Sequence, residues 1–464
     1  MLPTSCLVAI LAALSVSSAL TIPQPPKHHS TVSAAFHEID INPHPFLRLS
    51  NSPSDVPESG VHEESFDVEE LAEMDAHMKD YKGWDLDEMR LISIQRGDQM
   101  EEEFKWVTEY DKIILKTKGF KFMDITDAPT LGMANMLSPG GGAKKLYTYP
   151  QPSSNSSTHA YTTAHLYPKL STDIMKANLI KFSGFRTRYY RSETGKQSQQ
   201  WLLSKIKEYA QVNPHITIKE HPHSWGQNSI VARIPSAHAI KMKSSKNKDD
   251  GDKKKKTEKD SVVIIGAHQD SANMWPFLPA PGADDDGSGT TSILDAFRVL
   301  AASSYKPTHS AVEFHWYSAE EGGLLGSQAV AKVYEEDKVD VKGMIQMDMT
   351  AWVKKDTKEV IGVITDFVDP ALTKFIAAAV HEYCDIPAVP TKCGYACSDH
   401  ASWSKAGYQS AFSIESTFED SNKAIHSSGD TIEHPEFSFD HMQQFSKLAI
   451  AFAVELGGLD VPKK

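Results

Sequence analysis

The apolar run Val262-Val263-Ile264-Ile265 leads directly into Gly266-Ala267-His268-Gln269-Asp270. Residues 312–317 and 344–347 are two further apolar runs, and acidic residues follow each of them. Because open α/β sheets place their sites beyond the C-terminal ends of strands, we expect these polar residues to lie together. Helical patterns alternate with the strands after residue 166, which predicts an α/β fold.

Five short stretches between residues 266 and 430 carry the acids and histidines that a two-zinc hydrolase needs. Catalytic zinc takes imidazole nitrogen and carboxylate oxygen and leaves a position open for water. Two zincs about 3.5–4 Å apart need a bridging carboxylate, terminal ligands and a separate base. The doublet Glu320-Glu321 fits two roles, one on a metal and one on the water. The stretches are Gly266-Ala267-His268-Gln269-Asp270, Pro281-Gly282-Ala283-Asp284-Asp285-Asp286-Gly287-Ser288-Gly289, Ser318-Ala319-Glu320-Glu321-Gly322, Gln346-Met347-Asp348-Met349-Thr350 and Ile425-His426-Ser427-Ser428-Gly429-Asp430.

Each stretch alone has an ordinary structural interpretation. A histidine after an apolar strand, such as His268, is commonly a hydrogen-bonded structural residue. Asp284-Asp285-Asp286 before Gly287 is typical of a solvated turn or a helix N-cap, and Glu320-Glu321 alone is ordinary surface charge. The occurrence of all five stretches in one chain favours a metal site. His400 matches no ligand position, and packing or hydrogen bonding is expected for it.

The string Cys393-Gly394-Tyr395-Ala396-Cys397-Ser398-Asp399-His400-Ala401-Ser402-Trp403 is highly specific. Together with the five stretches, it makes the chain resemble the secreted leucine aminopeptidases of the fungal and bacterial di-zinc family. The resemblance runs from about Thr163 to the C-terminus. It implies a three-layer α/β fold of the zinc exopeptidase type, with a mixed central sheet flanked by helices, and two Zn²⁺ ions per chain.

The resemblance also implies five metal ligands. One metal would take His268 and Asp348 as terminal ligands, and the other would take Glu321 and His426. Asp285 would be the carboxylate that bridges the two metals.

Three further residues acquire catalytic roles from the resemblance. Glu320 would be the general base toward a zinc-bridging water, and Tyr395 would donate to the developing oxyanion. Asp270 would orient the ring of His268. The family also has a cis peptide bond directly after its bridging aspartate, which here is Asp285-Asp286.

An enzyme of this kind removes the first residue from peptides with a free N-terminus. The family's pocket positions are apolar in this chain, which favours leucine, methionine or aromatic first residues. Ser421 stands where a bacterial relative has an aromatic residue. The pocket positions are Met349, Ile364, Cys393, Cys397, Phe412, Ile414, Phe418 and Ile425.

Three other functions stay open from the sequence. Glutaminyl cyclases share the fold and many ligands but act with one metal, and a metal-free relative would be a binding module. The presence of Asp285 with both His268 and His426 argues against these two. A carboxypeptidase or amide deacylase of the wider di-zinc class is separated only by the resemblance. Zinc stoichiometry and the hydrolysis of leucyl against N-acetyl-leucyl anilides would distinguish them.

The N-terminal third has the pattern of an exported precursor. An apolar run over residues 7–20 ends in small residues and predicts a signal peptide over 1–19. Residues 36–130 hold 23 acidic and 10 basic side chains, a balance of −13 that equals the formal charge of the whole chain. Because fungal members of the family carry a pro-region, we interpret 20–150 as a removable acidic prosegment and linker. A permanent accessory domain is the alternative.

Residues 151–464 are predicted to form the catalytic domain. The pattern predicts helices over 172–182 and 198–209, and over 67–77 and 100–115 in the prosegment. A lysine-rich insert over 240–260 is predicted to be an exposed loop. No aromatic residues interleave its lysines, so nucleic acid is not an expected partner. No stretch after the signal peptide approaches a membrane span, and a monomer is expected.

Cysteine usage agrees with an extracellular protein. Cys393 and Cys397 flank three residues, and on a secretory route they are predicted to form a disulfide. A zinc thiolate pair is disfavoured because the sequence has no second cysteine pair. Asn155-Ser156-Ser157 is an N-glycosylation acceptor that points to the same route.

Overall fold

The computed structural model describes residues 85–95, 102–133, 145–245, 260–303 and 305–459. The predicted signal peptide, the predicted helix over 67–77 and most of the lysine-rich insert lie outside these residues.

Strands and helices alternate along the described residues. The strands are β1 Met89–Gln95, β2 Glu102–Thr108, β3 Phe122–Asp124, β4 Thr217–His221, β5 Ser229–Ile234, β6 Val262–His268, β7 Ala311–Tyr317, β8 Val341–Met347, β9 Ile361–Ile364, β10 Ala388–Thr391 and β11 Ser410–Ile414. The helices are α1 Glu109–Thr117, α2 Ser157–Tyr161, α3 Thr172–Ser183, α4 Glu193–Ala210, α5 Ala237–Ser245, α6 Gly287–Ala302, α7 Leu325–Glu336, α8 Pro370–Tyr383, α9 His400–Lys405 and α10 Phe439–Gly457. The helices predicted over 172–182 and 198–209 are confirmed as α3 and α4.

Eight strands form the central sheet, in the order β10-β9-β11-β8-β6-β7-β5-β4. Strands β8, β6 and β7 run parallel, and β11 is parallel to β8. Strand β5 is antiparallel to both β7 and β4, and β11 is antiparallel to β9. This mixed sheet confirms the predicted α/β architecture.

Both faces of the central sheet are buried, as the apolar run of β6 requires. Val263 and Ile265 point into a core that also contains residues of α4, α6, α8 and α10. Val262 and Ile264 point to the opposite face and pack with Val330 of α7 and Trp403 of α9. The sheet is therefore the middle of three layers.

A smaller antiparallel sheet, in the order β2-β1-β3, precedes the central sheet in the chain. The helix predicted over 100–115 is wrong in its first half, because β2 occupies residues 102–108. Trp106 packs on one face of the small sheet and Val107 on the other, which is the period of a strand. The helix begins only after Thr108, whose side chain caps it in a capping box with Asp111.

The small sheet and α1 pack directly on the part of the chain that contains the central sheet. Leu91, Met123 and Ile125 form one apolar cluster with Leu324, Ala396 and Ala401. A buried polar group lies beside this cluster. Tyr190 donates to Glu109 Oε1 at 3.1 Å, and Arg191 Nε lies 3.3 Å from the same oxygen.

Candidate metal centre and active site

The predicted site residues converge at one edge of the central sheet. His268 is the last residue of β6, and Asp348 follows the last residue of β8. Glu320 and Glu321 lie in the turn after β7. The two remaining predicted ligands, Asp285 and His426, come from loops.

Asp285 lies between the two histidines. Its Oδ1 is 3.1 Å from His268 Nε2, and its Oδ2 is 3.1 Å from His426 Nε2. His268 Nε2 is also 3.5 Å from Asp348 Oδ1, and His426 Nε2 is 3.0 Å from Glu321 Oε1. The carboxylate of Asp285 thus lies between two pairs of side chains, each of which has one imidazole and one carboxylate. Imidazole nitrogen and carboxylate oxygen are ligands that zinc binds in proteins.

Three possible metal-binding atoms at the centre of this cluster face ring nitrogens or carboxylate oxygens at 3.0–3.5 Å, but none makes a hydrogen bond of suitable geometry among the described residues. They are His268 Nε2, Glu321 Oε1 and Asp348 Oδ1, and all three are buried. A buried polar atom without a partner carries a desolvation cost, which a bound cation would remove. The residues present therefore fit two metal ions.

The excess of carboxylates in the cluster also favours the binding of cations. Burial alone would lower the pKa of His426, yet Glu321 and Asp285 raise it to about 10. Burial likewise opposes the charged form of His268, but Asp348, Asp270 and Asp285 hold its pKa well above the usual range. Without metals, protons on the two rings balance the carboxylates, and divalent cations would take over this balance.

Asp286 offers a competing carboxylate near His268 and Asp348. Its oxygens, however, already accept the backbone amides of His268, Gly289 and Met349 at 2.9–3.1 Å. It also caps α6. The helix-cap interpretation therefore applies to Asp286, whereas the carboxylate of Asp285 faces the two histidines. The peptide bond between these two residues is cis, as the resemblance implied.

The carboxylate of Asp270 joins the turn of β7 to the strand end of β6. Its Oδ1 accepts the amide of Glu320 at 3.1 Å, and its Oδ2 accepts the amide of Glu321 at 3.2 Å. His268 Nδ1 lies 3.1 Å from the backbone oxygen of Asp270 and 3.5 Å from Oδ1. Asp270 thus contacts the ring of His268 and also fixes the acidic doublet.

Glu320 is half-buried beside the acidic cluster. Burial, together with Glu321, raises the pKa of Glu320 well above its ordinary value, although His268 acts in the opposite direction. A carboxyl with a raised pKa can accept a proton and hold it, which is the property that general acid–base catalysis uses.

An apolar cluster lies beside the acidic residues. It brings together all eight predicted pocket positions and adds Val368, which sequence reasoning missed. A cavity of about 310 Å³ runs from this cluster to the acidic residues and is lined by Glu320, Glu321 and Tyr395. Ser421 lines the same cavity.

Cys393 and Cys397 form the predicted disulfide, with an S–S distance of 2.03 Å. Tyr395 lies between them in sequence, and its ring centroid is 6.4 Å from that of Phe418. Burial and the nearby Glu320 raise the pKa of Tyr395, so its hydroxyl stays protonated and can donate. His400 is fully buried and stacks on Phe412 at 4.9 Å, which agrees with the packing role expected for it.

The turn between α1 and β3 enters the cavity, which the sequence did not indicate. Lys116, Lys121 and Phe122 line the cavity with the acidic residues. Lys116 Nζ donates to the backbone oxygen of Glu321 and to its Oε2 at 3.2 Å. Lys121 Nζ lies 5.0 Å from the centroid of the Tyr395 ring.

Two other polar residues support the ligands and were not singled out from the sequence. Ser398 donates to Asp348 Oδ2 at 2.5 Å. Asp430 accepts the backbone amides of Asp284 and Asp285, each at 3.0 Å. Both residues lie inside the quoted stretches, so their position in sequence was the available signal.

Asn155 is exposed just before α2, where an attached glycan would meet solvent. Glycosylation of this residue stays a prediction. None of the helices in the described residues has the length and apolar character to cross a membrane.

Comparison with known proteins identifies the family. The sequence profile of Peptidase family M28 matches residues 251–453. Leucine aminopeptidase 1 of Neurospora crassa is 46% identical over 80% of this chain and 86% of that protein. The protein of the same name from Coccidioides posadasii strain RMSCC 757 is 47% identical over 76% of this chain and 87% of its own length.

Solved structures agree with this assignment. The LapA aminopeptidase of Legionella pneumophila superposes with a TM-score of 0.65 at 26% identity, covering 80% of this chain and 99% of that one. LapB from the same organism gives a TM-score of 0.63 at 25% identity, with 80% and 100% covered. On these matches and on the geometry above, the chain belongs to peptidase family M28 and is an aminopeptidase of that family.

Proposed function

We propose that this chain is a secreted di-zinc aminopeptidase that removes leucine and other large apolar residues from the N-terminus of peptides. The observation that carries the proposal is the position of Asp285 between His268 and His426, with one carboxylate oxygen 3.1 Å from each ring. The apolar cluster beside this carboxylate supports the preference for large apolar side chains.

Two zinc ions, when bound, would supply Lewis acidity and lower the pKa of a water at the site toward about 7. His268 and Asp348 would hold one ion, Glu321 and His426 the other, and Asp285 would contact both.

Glu320 performs the proton transfers of the proposed reaction. Its carboxylate removes a proton from the attacking water, whose oxygen adds to the carbonyl carbon of the first peptide bond. The same carboxyl then gives the proton to the leaving nitrogen as the C–N bond breaks. Asp270 keeps Glu320 in place through its backbone amide, and Tyr395 donates to the carbonyl oxygen as negative charge develops there.

The free α-amine of the substrate is recognised by its charge and by the room beside the apolar cluster. The first side chain fills the apolar cluster, which places the α-ammonium near Glu320 and Glu321. The contact between the ammonium of Lys116 and Glu321 supports this position, because it shows that an alkylammonium fits there. An acetylated N-terminus lacks the charge that these carboxylates attract.

We infer that the part of the chain before residue 150 is an inhibitory prosegment. Lys116 at the end of α1 and Lys121 in the following loop line the cavity that the substrate needs. The inhibition would act by occupation of the cavity and by pairing with Glu321. Export by a signal peptide over 1–19 and glycosylation at Asn155 complete the proposal for a secreted precursor.

The main test compares leucyl and N-acetyl-leucyl anilides as substrates for the processed protein, with zinc measured in the same sample. We expect two zincs per chain and hydrolysis of the leucyl substrate alone. Hydrolysis of the acetylated substrate would favour an amide deacylase. One zinc with cyclisation of N-terminal glutamine would favour a glutaminyl cyclase, and no zinc with no turnover would favour a binding module.

A further inference from the structure

Arg188 is a fully buried cation close to the acidic cluster. Burial lowers the pKa of its guanidinium to about 10, so the group stays charged at neutral pH. A buried cation ordinarily pairs with a carboxylate. The hydrogen bonds that the Arg188 side chain makes among the described residues all go instead to backbone carbonyls.

These carbonyls lie at the two ends of the connection between β6 and α6, one end directly after His268 and the other shortly before Asp285. Nε of Arg188 donates to Gln269 O at 2.9 Å, one residue after His268. Nη2 donates to Gly282 O at 2.8 Å, and Nη1 donates to Pro281 O. The planar guanidinium thus connects the end of β6, next to His268, to the residues that lead to Asp285. Arg188 itself lies 94 positions before Gly282 in the chain.

The guanidinium is itself held in place. The amide of Arg188 donates to Ser271 Oγ at 3.0 Å, and Ser271 Oγ donates to Ala280 O at 2.8 Å. The ring of Phe182 lies 4.3 Å from the guanidinium carbon. Because the backbone of Arg188 and the plane of its guanidinium are both held, the guanidinium can fix the distance between the carbonyl oxygens that it contacts.

The backbone of residues 281–285 is hydrogen-bonded by two side chains. Arg188 donates to the carbonyls of Pro281 and Gly282, whereas Asp430 accepts the amides of Asp284 and Asp285. We propose that Arg188 is a positioning residue of the metal centre, which holds the His268 and Asp285 loops at the separation that a shared metal requires. This inference rests on the proposed di-zinc function.

The test compares Arg188→Lys with Arg186→Lys in the full-length protein. Arg188→Lys keeps the charge, but an ammonium cannot reproduce the planar fork. Arg186 is a matched control, because it is exposed and its side chain donates to Phe277 O at 2.8 Å, in the middle of the same connection rather than at the two ends that Arg188 contacts. Zinc affinity is measured by competition with a chromophoric chelator. The geometry of the ligands is followed by the visible absorption of bound Co²⁺.

We expect Arg188→Lys to bind zinc at least about tenfold more weakly and to change the Co²⁺ spectrum, as is typical when support of a ligand is removed. Its circular dichroism should match that of the wild type, and Arg186→Lys should behave as the wild type in every measurement. A purely structural or charge-balancing role would leave the spectrum and the zinc affinity of Arg188→Lys unchanged, which would overturn the inference.

If Arg188→Lys does not fold, Ser271→Ala removes the anchor of the same fork without changing any charge. We expect a weaker loss of zinc affinity in the same direction, and an unchanged affinity would contradict the inference. The wild-type protein separates the two proposals. Two zincs in the wild type support the proposed function, whatever the variants show, and a wild type that holds no zinc contradicts both.

Discussion

Lys116 and Glu321 are 205 positions apart in the chain, yet the lysine ammonium donates to both the carboxylate and the backbone oxygen of the glutamate. Glu321 is also the carboxylate closest to His426, with 3.0 Å between Oε1 and Nε2. A residue of the N-terminal part therefore pairs with a proposed metal ligand.

Replacement of this lysine should weaken inhibition in the full-length protein. A hydrogen bond between charged groups contributes about 1.5–3 kcal/mol, and ~1.4 kcal/mol is a factor of ten. We therefore expect Lys116→Met to raise the rate of leucyl anilide hydrolysis by about tenfold or more. Lys118→Met is the control, since Lys118 is exposed two residues further on. Equal rates for the two variants would show that the lysine has no inhibitory role.

Removal of the proposed base should separate catalysis from metal binding. Glu320 is positioned by its backbone amide on Asp270, and its carboxylate is not needed as a ligand. We expect Glu320→Gln to keep two zincs while its turnover falls by at least about 10²-fold. Elemental analysis and initial rates measure this, with Glu336→Gln on the exposed end of α7 as the control. Loss of zinc from Glu320→Gln would contradict its assignment as the base.

Loss of the proposed bridging residue should weaken the binding of both metals, whereas loss of a terminal ligand should weaken the binding of one. Asp285 faces both histidines, so Asp285→Ala should empty or scramble both positions. His426→Ala should mainly weaken one. Zinc counted after dialysis tests this difference, with His381→Ala as the control because His381 is exposed. Two zincs retained by Asp285→Ala would be incompatible with a bridging role.

Zinc binding should release protons and weaken in acid. Burial opposes the charge on His426, but Glu321 and Asp285 raise its pKa from 6.5 to about 10 in the absence of metal. The ring is therefore protonated at neutral pH and must lose its proton to bind zinc. Affinity should rise with pH below this pKa, by about tenfold per pH unit for each proton released. Calorimetry in two buffers of different ionisation enthalpy counts these protons, and a zinc affinity that does not change with pH would contradict the assignment.

The central sheet could be predicted because its strands are continuous apolar runs. Val262 to Ile265 cannot be solvated on either face, so helices must cover both. The convergence of His268, Glu321 and Asp348 followed from their place at the ends of these strands, whereas Asp285 and His426 come from loops. The strand β2 was missed because Phe104 and Trp106 stand among charged residues, and its partner β1 is what decides the conformation.

Other contacts leave no trace in the sequence. Lys116 has no motif around it, and its contact with Glu321 depends on how the small sheet packs on the catalytic domain. Arg188 uses backbone carbonyls as partners, which every residue possesses. Val368 joins the apolar cluster through the fold of its loop alone.

The apolar contact between the small sheet and the rest of the chain affects whether the N-terminal fragment stays bound after proteolysis. Leu91, Met123 and Ile125 remain packed against Leu324 and Ala396 after the chain is cut, because none of these contacts requires the peptide link. Under the proposed inhibition, the severed fragment would be a dissociable inhibitor, and its departure would follow a binding equilibrium. Activity after cleavage should therefore increase on dilution, and it should appear with a lag that reports how fast the fragment leaves.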